Sequence, residues 1–428
     1  MVRRRLVFYV EGYDPQGLTG YSRLFRREYR RFLALWTLAG RVSEPEVEPG
    51  GYIGHWTVET AGPNWRVETR YEFLNWDDLI RRDLARPLVA RLARMIAVFA
   101  VHLLDGTARR LFRASWRFGL FYLYCACGLV FAAASTTALA VLIAWALSAA
   151  TGSLPAGAFA AIVLLAGAWF ATSWIGKKAF LTQLAEWILC FADWAHDRRP
   201  DLSARIDHFA RHMMERMRAA QFDEVLIVGH SAGGAVAVAT LARMLELDAS
   251  ILRAGPRVAI AGLGSVVGAA GLHRPAASMR RAVARLAVEE ALLWVECESR
   301  KDVMNLWAFD PVEGLGLELA QPRRNPTIWR VSLKDTFAPQ SYEHRRADFF
   351  RLHFQFIMAN DCRARYDFFM FVCGPVPFAQ WARDDWSAVM AFGPDGALLP
   401  DPAESDAPTG QARGAAALAE LQPPGEVL

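Results

Sequence analysis

The run Glu224-Val225-Leu226-Ile227-Val228-Gly229-His230-Ser231-Ala232-Gly233-Gly234-Ala235-Val236 decides the fold. Residues 224–228 are short, nearly all apolar and rich in β-branched side chains, which predicts a buried strand of a parallel sheet. Residues 234–244 begin with small side chains and pass into an apolar pattern of helical period. Between them lies Gly-x-Ser-x-Gly, and strand, sharp turn and helix in that order are the setting of a nucleophile elbow. Such a turn lifts the Ser231 hydroxyl off the sheet, while small residues let helix and strand approach closely. The amide of Ala232, at the helix N-terminus, would point at an oxyanion formed when Ser231 attacks a carbonyl. A plainer reading makes Ser231 the N-cap of a Gly-rich helix start.

Other segments fit around this unit. Residues 5–10 read as an early core strand, ending in Gly12-Tyr13-Asp14-Pro15-Gln16-Gly17 and followed by a helix over about 21–38. Residues 52–60 and 66–73 flank Gly62-Pro63-Asn64 and read as a hairpin. Residues 182–219 read as helical, 257–261 and 292–298 as buried strands, and 328–333 as the last strand. No internal repeat is present.

In the elbow and its setting the chain resembles the α/β-hydrolase superfamily, specifically its serine esterases and lipases. The resemblance runs from the elbow to about Pro377, with a short N-terminal segment besides. It implies an α/β fold with a mostly parallel sheet flanked by helices, a Ser–acid–His triad and acyl transfer to water. In such proteins the acid and then the base follow the nucleophile, the acid lying beyond the C-terminal end of a later strand. Ser299-Arg300-Lys301-Asp302 leads directly off the 292–298 strand, so Asp302 has the right address, and Asp310 is the alternative one loop further on. Asp302-Val303-Met304 also resembles the Asp-x-Val-Pro stretch of lipases, without its proline.

Beyond Asp302 the histidines are His344 and His353. His344 stands among Glu343, Arg345 and Arg346, a solvated setting, although the base often lies soon after the last strand. His353 shares a helical face with Phe349, Phe350, Phe356 and Ile357, where an imidazole is costly without a hydrogen-bond partner. We therefore expect His353 as base, with His344 as the alternative. His230 is part of the elbow, and His273 precedes the acid. The resemblance also implies a second oxyanion donor from a turn after an early strand, where the family often carries His-Gly. Here the turn reads Val10-Glu11-Gly12-Tyr13-Asp14, so Glu11 replaces the histidine and the Tyr13 amide is the candidate donor. A carboxylate beside a developing oxyanion is repulsive, so Glu11 is expected to point away or be paired.

Composition sets the surroundings. The 428 residues leave room for one large α/β domain plus extras. A formal net charge of +4, with arginines spread along the chain, does not describe a nucleic-acid-binding stripe. The six cysteines show no zinc-ligand spacing, and free thiols fit a reducing cytoplasmic face. The apolar run after Arg3-Arg4-Arg5 ends at Glu11, too short for the core of a signal peptide. The hydrophobic fraction of 54% and the mean hydropathy of +0.14 are high for a soluble enzyme.

Their main source is residues 118–176, which contain no Asp, Glu, Lys, Arg or His. A break at Thr151-Gly152-Ser153-Leu154-Pro155-Ala156-Gly157 divides them into apolar segments over 118–150 and 158–175. With about 20 apolar residues needed to span a bilayer, two transmembrane helices are expected. Arg109, Arg110, Arg113 and Arg117 precede them and Lys177 and Lys178 follow, which places both flanks in the cytoplasm by the positive-inside rule. Tyr122, Tyr124, Trp169 and Trp174 would form an aromatic belt. Residues 79–116 alternate arginines with apolar positions at helical spacing, which reads as an interfacial helix drawn to anionic headgroups or as a solvated arginine face on a packed helix.

The expected organisation is a discontinuous hydrolase domain. Residues 1–78 supply the first strand, oxyanion turn and hairpin, 79–117 the basic amphipathic helix, and 118–176 the membrane hairpin. Residues 177–392 form the main domain and 393–428 a disordered tail. The expected protein is a multi-pass enzyme of a membrane such as a bacterial inner membrane, its catalytic portion cytoplasmic. It would hydrolyse a lipid or lipophilic acyl ester, with the bilayer as partner and no metal or organic cofactor required. An acyltransferase or thioesterase using the same triad, and an inactive hydrolase-fold membrane scaffold, are the alternatives.

Overall fold

The strands of this chain form one mixed sheet, buried on both faces at its centre. The computed structural model describes residues 1–400 apart from 220, 254, 384 and 385. The N-terminal part runs β1 (Arg4–Val10), α1 (Gly17–Trp36), β2 (Ala39–Val42), β3 (Glu46–Val47), β4 (Ile53–Gly62) and β5 (Trp65–Leu74). Seven helices follow: α2 (Asp77–Leu84), α3 (Leu88–Leu104), α4 (Thr107–Ala114), α5 (Trp116–Thr151), α6 (Leu154–Lys178), α7 (Leu181–Ala195) and α8 (Pro200–Ala219). The chain then returns to the sheet with β6 (Glu224–His230), α9 (Ala232–Leu247), β7 (Arg257–Leu263), α10 (Val267–Leu272), α11 (Ala277–Ala287) and β8 (Leu292–Glu298). Next come α12 (Pro311–Gly314), β9 (Thr327–Arg330), α13 (Pro339–Arg345) and α14 (Phe349–Phe354).

The sheet has nine strands in the order β2-β4-β5-β1-β6-β7-β8-β9, with β3 on β4. From β5 to β9 every pairing is parallel, while β2, β3 and β5 pair with β4 antiparallel. Alternate residues feed two cores. Leu6, Phe8, Val225 and Ile227 pack on the side of α8 and α9, and Val7, Tyr9, Leu226 and Val228 on the side of α1. Arg5, fully buried between β1 and the C-terminal segment, is paired with Glu224 at 2.8 Å and donates to the carbonyls of Gly374 and Val376. A buried charge is tolerable only with such complete pairing.

The hairpin forms as Ile53–Gly62 and Trp65–Leu74, close to the expected 52–60 and 66–73. The last strand stops at Arg330 instead of 333, because Leu333–Thr336 closes into a 3-10 turn. Strands β2 and β3, short and mostly exposed, had no apolar alternation to reveal them. The stretch 79–116 is three helices: Pro87, which lacks an N–H, breaks it first, and Gly106 at φ 79° breaks it again. Three of its arginines turn toward α7, against the expectation of headgroup contact, while Arg81, Arg82, Arg109 and Arg113 stay exposed. Arg91 donates to Glu186 at 2.7 Å, Arg94 pairs with Asp193, and Arg86 pairs with Glu186 and Asp83.

Helices α5 and α6 are long and apolar enough to cross a membrane, and they point to membrane association. They are joined at Gly152, whose φ of 65° allows the tight reversal, and Ser153 and Pro155 start α6. Thr136 and Thr172 hydroxyls meet across the pair at 2.8 Å, a bond worth about 0.6 kcal/mol between apolar helices. Tyr122 is not part of an outer aromatic belt: it is buried and its hydroxyl lies 2.7 Å from His102 Nδ1. Residues 393–400, assigned to the tail, are ordered: Phe392 bridges Leu398, and Gly396 accepts from Trp65 Nε1 at 2.9 Å. The remainder of that tail lies outside the described residues.

Candidate active site

The C-terminal ends of β1, β6 and β8 and the segment beyond β9 converge on one cavity, which is where parallel sheets place ligands. Ser231 sits at the end of β6 with φ 56° and ψ −123°, a conformation that a non-glycine residue holds only when its surroundings impose it. The imposition is local. Ser231 N donates to Leu263 O at 3.0 Å, and Ser231 O accepts from Gly234 and Val266. A side chain at Gly229 would strike Gly234, and one at Gly233 would strike the carbonyls of Val10 and Glu11. The two glycines therefore permit the close crossing of β6, α9 and the end of β1.

Asp302 and His353 come together from elements 51 positions apart. His353 Nδ1 lies 2.7 Å from Asp302 Oδ2, both side chains buried. Asp302 Oδ1 accepts from Met304 N at 2.8 Å, and Asn305 Nδ2 ties the loop to the carbonyls of Ser299 and Asp302. His353 Nε2 is buried with no hydrogen-bond partner among the described residues, and His353 and Ser231 line the same cavity of about 170 Å³. An imidazole anchored through one nitrogen and open at the other can accept a proton from a hydroxyl presented in that cavity.

The alternatives have other attachments. Asp310 caps α12 and pairs with Arg323. His344 is exposed, its Nδ1 turned to Gln340 O at 2.8 Å. His230 is buried beside His353, ring centroids 4.7 Å apart, and burial followed by the neighbouring imidazole holds it well below the usual histidine range.

The turn after β1 passes directly over the serine, since a side chain at Gly12 would lie 3.2 Å from Ser231 Cβ. Among the described residues the amides of Tyr13 and Ala232 donate to nothing. Tyr13 is held from outside. Its hydroxyl donates to Asp83 at 3.0 Å, and its carbonyl accepts from Gln183 Nε2 at 2.6 Å. Asp83 is in turn bound by Arg199 at 2.8 Å. Glu11 is neither paired nor exposed: both carboxyl oxygens are buried without a partner among the described residues. Burial, then the charges of Asp14 and Asp77, hold it well above the usual carboxylate range, toward the neutral acid. Of the two expected outcomes the pairing is absent among the described residues, and Glu11 is not among the residues that line the Ser231 cavity.

Gln183 and Asp83 were not anticipated from sequence. The usable signal was Gln183 and Glu186, two polar residues three apart in the otherwise apolar start of α7, a spacing that demands polar partners opposite. The cavity wall is also unexpected in origin. Phe121 of α5, Phe180 in the α6–α7 break, and Leu184 and Trp187 of α7 face Met304, Phe350 and Phe354. Phe180 and Phe350 close one side, with ring centroids 4.1 Å apart. No family profile, curated protein or solved structure matches the chain.

Proposed function

We propose that this chain is a membrane-anchored serine hydrolase that cleaves a lipophilic carboxylic ester through an acyl-enzyme on Ser231. The observation that carries the reading is the strained Ser231 in one cavity with an Asp302–His353 pair, in the chain order Ser, Asp, His. In this reaction Ser231 Oγ attacks the ester carbonyl and His353 Nε2 takes its proton. Asp302 keeps the proton on Nδ1 and stabilises the imidazolium. The oxyanion accepts from the amides of Ala232 and Tyr13. Collapse expels the alcohol, which leaves with the proton from His353, and water then releases the acid by the same steps.

The wall of phenylalanine, leucine, methionine and tryptophan suits an apolar acyl chain. Helices α5 and α6 would anchor the enzyme as a hairpin, with α7 and the sheet on the cytoplasmic side. Reaction with a fluorophosphonate probe tests the nucleophile. Rapid labelling that disappears in Ser231→Ala is expected, whereas an unlabelled wild-type protein would remove the hydrolase reading. Reporter fusions after Asp201 and within the turn at Ser153 should report opposite sides of the membrane, and the same side for both would remove the hairpin.

A further inference from the structure

We infer that α3 is a lipid-seated helix, its outward face lying in the acyl region of the phospholipid bilayer that takes α5 and α6. Read as sequence, this helix offers an arginine stripe; the fold turns the stripe inward, where α7 neutralises it through Glu186 and Asp193. Arg94, paired with Asp193, keeps 35% of its side chain exposed, and none of the more exposed residues of α3 is charged. Val89, Ile96, Val101, Leu103 and Leu104 are exposed at helical spacing with alanines between them, and Leu104 is 89% exposed. The inward side is Leu88, Arg91, Met95 and His102. An amphipathic helix in water has the opposite arrangement, and an exposed apolar patch of this kind marks an interaction site.

The neighbours of α3 identify what covers it. His102 is hydrogen-bonded to Tyr122 at 2.7 Å and Phe99 packs on the same ring at 6.3 Å, so α3 is fixed to the foot of α5. Its apolar face is thereby continuous with the apolar hairpin. With 17 residues it is about 25 Å long, and it meets α2 at a bend of 101°. Arg109 and Arg113 of α4 and Lys177 and Lys178 of α6 are exposed, with no acidic partner among the described residues. These four, together with Arg117 and Arg300 beside Arg113, rather than the arginines of α3, are placed to meet anionic headgroups. A helix so placed is seated roughly 5–10 Å into the boundary of headgroups and acyl chains. Phe121, Phe180 and Trp187, which line the cavity, then open at that boundary.

The inference rests on the membrane-spanning reading of α5 and α6, and one experiment separates the two. The full chain carrying Ile96→Cys or Leu104→Cys, in a background with Cys127→Ala and Cys362→Ala, is labelled with an environment-sensitive fluorophore. Labelled Leu142→Cys and Glu246→Cys report α5 and the exposed surface of α9. Each is placed in vesicles of phosphatidylcholine and phosphatidylglycerol that carry a nitroxide near the glycerol or near the chain end. Thermal unfolding of each labelled protein must match the parent. Positions 96 and 104 should lose roughly half their fluorescence to the shallow nitroxide, lose less to the deep one, and resist iodide. Position 142 should respond most to the deep nitroxide and position 246 to iodide alone. Quenching of 96 and 104 by iodide, with 142 still quenched by lipid, would overturn the α3 seat and leave the hairpin standing. Protection of 96 and 104 from both quenchers would mean that protein covers the face, and would overturn the seat equally. Failure of lipid quenching at 142 would overturn the spanning reading itself.

Discussion

The elbow at Ser231 and the turn at Gly12–Asp14 end adjacent strands and face each other across the same cavity, yet they are held in opposite ways. The elbow is fixed by its own glycines and by hydrogen bonds to the neighbouring β7 and the segment after it. The turn is fixed from a distance, by Gln183 170 positions away and by Asp83 70 positions away. Asp83 and Gln183 lie on opposite sides of the apolar hairpin in sequence. The group that would do the chemistry is therefore built locally, while the group that would position the charge depends on the helices around the membrane segment. Loss of the Ser231 hydroxyl should abolish reaction without altering the fold. A change at the clamps should alter rate in a graded manner.

The largest effects should come from the reacting groups. Ser231→Ala and His353→Ala are each expected to lower kcat on a short-chain chromogenic ester by on the order of a millionfold. His344→Ala, at an exposed side chain bound only to its own helix, should leave kcat within a factor of about two. A dead His344→Ala beside an active His353→Ala, both folded by thermal unfolding, would move the base to His344. Asp302→Asn should cost about ten-thousandfold in kcat, because it presents the wrong tautomer while preserving the loop. A loss smaller than tenfold would remove Asp302 from the proposed triad.

The clamp on the turn tests the other half of the comparison. Gln183→Ala deletes the donor to the Tyr13 carbonyl and frees the turn to shift. We expect kcat to fall roughly ten- to a hundredfold with KM nearly unchanged, as a small misplacement of an oxyanion donor would produce. Gln183→Glu, whose carboxylate has no N–H to give, should not restore it. If the loss tracks a lowered unfolding temperature instead of kcat, Gln183 is only a brace for α7.

The same division explains what was legible in the sequence. The elbow strand, turn and helix are contiguous, so their pattern can be read within residues 224–244 alone. Asp302 and His353 could be singled out because chain order limited the choice and an imidazole on an apolar face requires a partner. The direction of the α3 arginines could not be read, because Glu186 and Asp193 lie about a hundred positions away, beyond the hairpin. Helical period shows that two faces differ, not which of them meets the protein. Glu11 was likewise visible as a departure from His-Gly, but its burial without a partner is a property of the packed structure.

Glu11 gives the smallest expected effect and the sharpest sign. Its carboxyl is held well above the ordinary value of 4.5 by burial, with Asp14 and Asp77 adding to it and Arg81 opposing. Between the unfolded and folded values the folded protein binds the extra proton, so stability falls as pH rises through that window. Tyr9 and Tyr21 also face this pocket, and burial raises both, so neither ionises in its place near neutral pH. Glu11→Gln keeps the shape and removes the titration. It should unfold at the same temperature as wild type at pH 4, and at a progressively higher temperature than wild type from about pH 5 upward. Activity at pH 7 should change by less than about threefold, with the variant retaining more of its kcat on the alkaline side because no carboxylate can form beside Gly12. Parallel unfolding curves across the range would show that Glu11 is already ionised in the folded protein. The turn over Ser231 would then hold a buried negative charge, and Tyr13 would be a poor oxyanion donor.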